Sequence, residues 1–188
     1  MPFQEFQPIA SYGMLSDCSS AAHVSRAGSI DWLCLPRFDS PALFARILDP
    51  RAGHWSIAPV GPFEVERRYL PGTLVLEAVF TTPTGRVRLT DALTFAHGQR
   101  GHELGLGAPH QLLRSLEGLA GSVKVVVQIA PRPEYGLVRP LLRRTRRGAR
   151  TFGGPNQIAI SADVPLSVEG GTLRGAITMR TGERAGFC

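Results

Sequence analysis

Apolar and polar residues alternate with a period of two along most of the chain, the pattern of half-buried strands. Segments 21–26 and 29–35 read as two strands joined at Ala27-Gly28, a hairpin signal. Residues 54–58, 63–70, 73–81 and 86–95 continue the pattern, with Pro71-Gly72 and Pro83-Thr84-Gly85 as turns between them. In 86–91, Val87 and Leu89 face one way and the arginines the other, as in an antiparallel strand with one wet face. Strands are predicted again at 111–116 and at 123–130. The second reads as a central one because Val125, Val126 and Val127 are apolar on both faces. Weaker alternation marks 141–144, 149–152, 157–161, 166–169, 172–180 and 183–187. The period changes once. Leu43, Phe44, Ile47 and Leu48 recur at helical spacing, Ser40 suits an N-cap and Pro41 the first helical position. This predicts one short helix over 41–48, ended by Asp49-Pro50.

About a dozen short strands spaced 8–12 residues apart, with one helix, predict an all-β fold: a large antiparallel β-sandwich. A parallel sheet is excluded because no helices lie between the strands to make the crossovers. No internal repeat or linker divides the chain, so residues 1–188 read as one domain. The 21 glycines and 15 prolines exceed the usual combined share of about 12% and fit many turns between short elements. Residues 96–109 form a polar, glycine-rich loop.

Composition narrows the function classes. With 43% hydrophobic and 19% charged residues, the chain is globular in character. It has no apolar run long enough for a transmembrane helix. Its first residues have neither a basic nor an apolar segment of the signal-peptide kind, which predicts a cytoplasmic protein with no membrane partner. The three cysteines have no Cys-x-x-Cys spacing, and no histidine pair has metal-ligand spacing. Neither a disulfide framework nor a metal site is expected. The glycines of 101–107 and of Gly153-Gly154-Pro155 match no phosphate- or dinucleotide-binding motif and read as turns. No cofactor is expected. The five histidines stand without a nucleophile motif, so no hydrolase triad is read.

One stretch combines groups suited to recognition. Residues 31–40 hold Asp31, Trp32, Arg37, Phe38 and Asp39 within ten positions. Aromatic faces stack on sugar rings, and carboxylate and guanidinium groups bond hydroxyls in pairs. These five are the candidate substrate-binding residues. A purely structural account is open too: Trp32 in the core, Asp39 or Ser40 capping the helix, Arg37 paired with Asp31. The formal charge is +6, and all of the 21 basic residues except Lys124 are arginine. Arg139, Arg143, Arg144, Arg146, Arg147 and Arg150 form the one cluster. Because no aromatic residue is interleaved with them before Phe152, they read first as a solvated face, with no nucleic-acid partner. An arginine-rich polyanion- or nucleic-acid-binding β module is the alternative reading of the chain.

Several motifs, in order, resemble one family. They are Ile9-Ala10-Ser11-Tyr12-Gly13 with Ser16-Asp17-Cys18, then the run from Gly28 through Asp31-Trp32-Leu33-Cys34-Leu35-Pro36-Arg37-Phe38-Asp39-Ser40-Pro41. Arg68-Tyr69-Leu70-Pro71-Gly72, Thr90-Asp91 and Ala130-Pro131-Arg132-Pro133-Glu134-Tyr135-Gly136 follow. Together they resemble the N-terminal, trehalase-like domain of bacterial glycoside hydrolase family 15 proteins, the glucoamylase and trehalase relatives. The resemblance implies a β-sandwich (a supersandwich) preceding an (α/α)6 barrel that carries both catalytic glutamates. No stretch here reads as such a barrel, so no catalytic residue is assigned. The expected role is a non-catalytic module that packs on a barrel supplied in cis or in trans, with an α-glucoside as the carbohydrate. A chain cut before the barrel is expected to leave a surface open to self-association.

Overall fold

The computed structural model describes residues 7–154 and 156–188. The N-terminal residues 1–6, and Pro155 of the 153–155 turn, lie outside them. The strands are β1 (Gly13–Ser16), β2 (Ala21–Val24), β3 (Ser29–Cys34), β4 (Ala42–Phe44), β5 (His54–Pro59), β6 (Glu64–Tyr69), β7 (Leu76–Thr82) and β8 (Gly85–Leu93). They continue as β9 (Leu112–Ala130), β10 (Leu141–Thr145), β11 (Gly148–Phe152), β12 (Ala159–Ser161), β13 (Ser167–Glu169), β14 (Thr172–Arg180) and β15 (Arg184–Phe187). Among the described residues, single 3-10 turns occur at Ile9–Ser11 and Gly101–Glu103. Among the described residues no helix is long and apolar enough to cross a membrane.

The sheets share one strand. In its C-terminal half β9 pairs with β5 on one side and β14 on the other, in a sheet ordered β1-β2-β3-β5-β9-β14-β13. In its N-terminal half it pairs with β8 and β15, in a sheet ordered β6-β7-β8-β9-β15. All these pairings are antiparallel. The 19-residue β9 replaces the two strands expected at 111–116 and 123–130, and a bulge explains the break in pattern. Arg86 pairs with Ala120 and Val87 with Gly118, which leaves Leu119 unopposed. The extra residue shifts the phase. Leu112, Arg114 and Leu116 point inward before it, and Val123, Val125, Val127 and Ile129 after it.

Hairpin β14–β15 turns the same corner. The Gly118 N–H donates to the Glu183 carbonyl at 2.9 Å, and the Gly182 N–H to the Gly118 carbonyl at 2.8 Å. A side chain at Gly118 would run into the Arg180 carbonyl, so glycine lets the two chains cross. The inner faces meet in one core that joins Ile30, Leu33, Trp55 and Ile57 to Phe80, Val87, Leu89 and Leu116. This is the all-β, antiparallel, sandwich-like fold expected from the alternation. A separate three-stranded sheet, β10-β11-β12, adds Leu142, Ala149 and Ile160 to the same core.

The helix expected over 41–48 is not formed. Ala42–Phe44 is a strand, with Ala42 opposite Cys34 and Phe44 opposite Leu33. Both faces of this segment are buried: Leu43 and Phe44 in the main core, Ala42 and Ala45 in a small cluster with Cys34 and Ala52. A doubly buried strand shows no period-two pattern, and its apolar run mimics helical spacing. Ser40 does not cap a helix; its Oγ accepts from the Arg37 N–H at 3.1 Å and closes a turn. All that is helical there is one turn, with the Asp49 N–H donating to the Ala45 carbonyl at 3.3 Å.

Candidate functional site

The 31–40 stretch is divided by the structure into three environments. Val24 pairs with Ile30 and His23 with Trp32, so Asp31 sits in a bulge of β3 with no residue opposite it on β2. The bulge lets Ile30 and Leu33 both enter the core and turns Asp31 to the other face. There its carboxylate, only 4% exposed, is fully engaged. Oδ1 accepts from Ser29 Oγ at 2.6 Å and faces Arg46 Nε at 2.9 Å; Oδ2 accepts from Tyr12 Oη at 3.1 Å. Arg46 also donates from Nη2 to Ser29 Oγ at 2.8 Å. Burial, then the Asp31 charge, pushes the Tyr12 phenol up to about 12. Burial, then the Arg46 charge, pulls the neighbouring His54 imidazole down to about 4. Tyr12, Asp31 and Arg46 line a cavity of about 420 Å³ together with Arg26 and Phe63.

Trp32 is half-buried against the Cys34, Ala42, Ala45 and Ala52 cluster. Its ring lies 6.2 Å from that of Tyr135, tilted by 43°. Tyr135 is held by its N–H, which donates to the Ala42 carbonyl at 3.2 Å, and it has a positive φ of 56°. Arg37, Phe38 and Asp39 form an exposed turn. Arg37 and Asp39 pair at 3.0 Å, both largely in solvent, and Phe38 is 59% exposed. The turn is anchored by the Phe38 N–H, which donates to the Ser19 carbonyl at 2.9 Å. Ser19 in turn belongs to a loop organised by the buried Asp17, whose Oδ1 accepts the Ser19 and Ser20 N–H groups at 2.9 and 2.6 Å.

Of the five candidates, only Arg37 and Asp39 bond to each other. The Asp31 pairing anticipated with Arg37 is made instead by Arg46, a residue that nothing in the sequence singles out. Tyr12, Ser29 and Tyr135 were missed as well. All three lie inside the motifs, but nothing in their spacing shows that Tyr12 and Ser29 reach Asp31, or Tyr135 Trp32.

A second cavity, of about 430 Å³, opens between the strand ends and β12. Pro36, Leu43, Trp55, Pro133 and Ile160 line it, with His110 and Glu134 among its polar groups. A third, of about 500 Å³, lies along Thr90, Ser115 and Asp163. Among the described residues each of these three cavities is lined by one acidic side chain, Asp31, Glu134 or Asp163, and a fourth, of about 740 Å³ along Tyr69, Leu74 and Phe95, is lined by none. Glycoside hydrolysis works with a facing pair. Among the described residues, no group of three or more His, Cys, Asp or Glu side chains has metal-binding geometry.

Comparison with known proteins gives one consistent result. The sequence model of the family described as trehalase-like, N-terminal, matches residues 3–171. A protein named trehalase from Mycolicibacterium smegmatis is 41% identical over 140 residues, covering 69% of this chain and 21% of the relative. The trehalase of Mycobacterium tuberculosis is 38% identical with the same coverage. That of Thermoplasma volcanium is 27% identical over 179 residues, covering 93% of this chain and 28% of the relative. The chain thus spans about a fifth of the length of the first two.

Proposed function

The chain belongs to the trehalase-like N-terminal family, and from that we propose that it is the non-catalytic β-sandwich module of a glycoside hydrolase family 15 enzyme that cleaves α-glucosidic bonds. The observation that carries this reading is the match over most of this chain to about one fifth of proteins named trehalase. The module packs on a catalytic (α/α)6 barrel, in cis or in trans. In this reading the exposed turn of Arg37, Phe38 and Asp39 extends toward the sugar site, with Trp32 braced on Tyr135 behind it. Phe38 offers a ring face, and the Arg37–Asp39 pair offers donors and acceptors to hydroxyls. The surface that meets the barrel mediates self-association when the barrel is missing.

The chemistry of the module supports a scaffold role. Asp31 and Asp91, two of its buried carboxylates, are each held in an ion pair, by Arg46 and by Arg114. The three cysteines are free thiols, in keeping with a reducing compartment such as the cytoplasm. The direct test is to assay the purified chain for glucose release from trehalose and from maltodextrins. No turnover is expected, and robust turnover would overturn the proposal.

A further inference from the structure

The arginine cluster occupies one element. Arg143 and Arg144 lie on β10, Arg150 on β11, and Arg146 and Arg147 in the turn between them, while Arg139 precedes β10. All six are exposed. Among the described residues none of the six makes an ion pair, whereas Arg37, Arg46, Arg51, Arg68, Arg88, Arg114, Arg174, Arg180 and Arg184 all do. The sequence between Glu134 and Asp163 holds no acidic residue. Arg143 stands directly opposite Arg150 in the β10–β11 ladder. Like charges so placed, with Cβ atoms about 5 Å apart, destabilise the strand pair. The hairpin therefore keeps an internal repulsion that an anionic ligand would relieve.

The fold also removes the objection read from the sequence, that the cluster lacks an aromatic partner. Leu141 pairs with Phe152 and Arg143 with Arg150, which puts all four on one face of the small sheet. The Arg143 guanidinium lies over the Phe152 ring, 4.9 Å from its centre. A ring with a guanidinium against it, among unpaired arginines of one sign, is the combination that holds a single nucleic-acid strand. Protein interfaces mix charges of both signs; a long uniform field fits a linear polyanion.

We propose that the β10–β11 hairpin is a binding surface for single-stranded nucleic acid, with arginines on successive phosphates and a base stacked at Phe152. Fluorescence anisotropy of the whole chain with labelled U12 RNA and T12 DNA tests it. With Arg143 and Arg150 on this face and Arg146 and Arg147 in the turn engaged, the slope of log affinity against log salt is about −3. The double variant Arg143→Ala/Arg150→Ala makes it shallower by about 1.4. Phe152→Leu weakens oligonucleotide binding about tenfold and leaves heparin binding unchanged, because only a base uses the ring. Arg143→Lys keeps the slope. A preference of U12 over T12 assigns RNA, and the reverse assigns DNA. All variants are to melt within a few degrees of the parent. No binding of either strand at 50 mM salt would overturn the proposal. So would equal affinity of the parent and Phe152→Leu for U12, or displacement by poly-glutamate as effective as by heparin, which would point to an acidic protein.

Discussion

Arg114 holds Asp91 in a two-pronged ion pair inside the sandwich, with Nε 2.8 Å from Oδ1 and Nη2 3.0 Å from Oδ2. The two residues face each other across the β8–β9 ladder, at 1% exposure each. The guanidinium reaches across to the other sheet, where Nη1 donates to the Trp55 carbonyl at 2.6 Å and Nη2 to the Gly28 carbonyl at 2.8 Å. It also lies 5.5 Å from the centre of the Trp55 ring. One side chain thus satisfies backbone groups of β5 and of the β2–β3 turn from a strand in the opposite sheet.

Breaking this pair leaves a buried charge without its partner. Asp91→Ala or Arg114→Ala should each lower stability by about 3–5 kcal/mol. Replacing both with apolar residues of similar size should cost less than the sum, since neither charge is then stranded. Urea denaturation of the two single variants and the double variant measures this. Additive losses would show that the residues act independently.

The period-two alternation made most of this fold legible, because a strand with one buried and one wet face writes its geometry into the order of its residues. It failed where that condition fails. Residues 42–45 are buried on both sides, so the strand at Ala42–Phe44 reads as a helical spacing. Bulges at Asp31 and Leu119 shift the phase of β3 and β9, and no residue type announces such a shift. The contacts of the 31–40 stretch were not legible. Asp31 and Arg37 are six positions apart in sequence, yet Asp31 is bound by Arg46, brought in by the fold, and Arg37 by Asp39.

His54 makes stability depend on pH. Its imidazole titrates near 4 in the folded chain, against an ordinary value of 6.5, because burial and then Arg46 disfavour the charged form. The unfolded chain binds a proton below pH 6.5 that the folded chain refuses down to about pH 4. Stability from this group is therefore present above pH 6.5 and is lost as pH falls toward 4. After allowance for partial solvent screening, the loss is about 2 kcal/mol. Unfolding free energies of the parent and His54→Gln, measured from pH 7 to pH 4, should converge by that amount. Parallel curves would contradict the assignment.

Tyr12 provides the alkaline counterpart. Its phenol titrates near 12 in place of 10, with burial as the largest cause and Asp31 next. Its contribution to stability is held below pH 10 and lost as pH rises through 12. In a titration followed by tyrosinate absorbance, one of the three tyrosines should ionise late, and Tyr12→Phe should remove that late step.

Gly118 should tolerate substitution far less than glycines in open turns. A Cβ there meets the Arg180 carbonyl, part of a backbone that cannot rotate away. Gly118→Ala should cost about 3 kcal/mol through displacement of the β14–β15 turn. Gly61 has a φ of +87°, but a Cβ added there would meet nothing within 4 Å, so Gly61→Ala should cost only about 1 kcal/mol. Thermal melts of the two variants decide whether the close crossing, and not glycine content as such, holds the two sheets together.

The exposed turn separates a functional role from a structural one. Arg37 and Asp39 pair in solvent, where such pairs contribute about 0–1 kcal/mol, and Phe38 is more than half exposed. Alanine at all three should shift the stability of the isolated chain by no more than about 1 kcal/mol. If the turn reaches the sugar site, the same substitutions in a full-length trehalase that carries this module should raise KM or lower kcat for trehalose about tenfold or more. Trp32→Ala behaves differently: it removes packing against Tyr135 and the Cys34 cluster and so lowers stability by about 3 kcal/mol. Unchanged kinetics in the triple variant, with the fold intact, would assign the turn to the surface alone and leave the module a scaffold without contact to substrate.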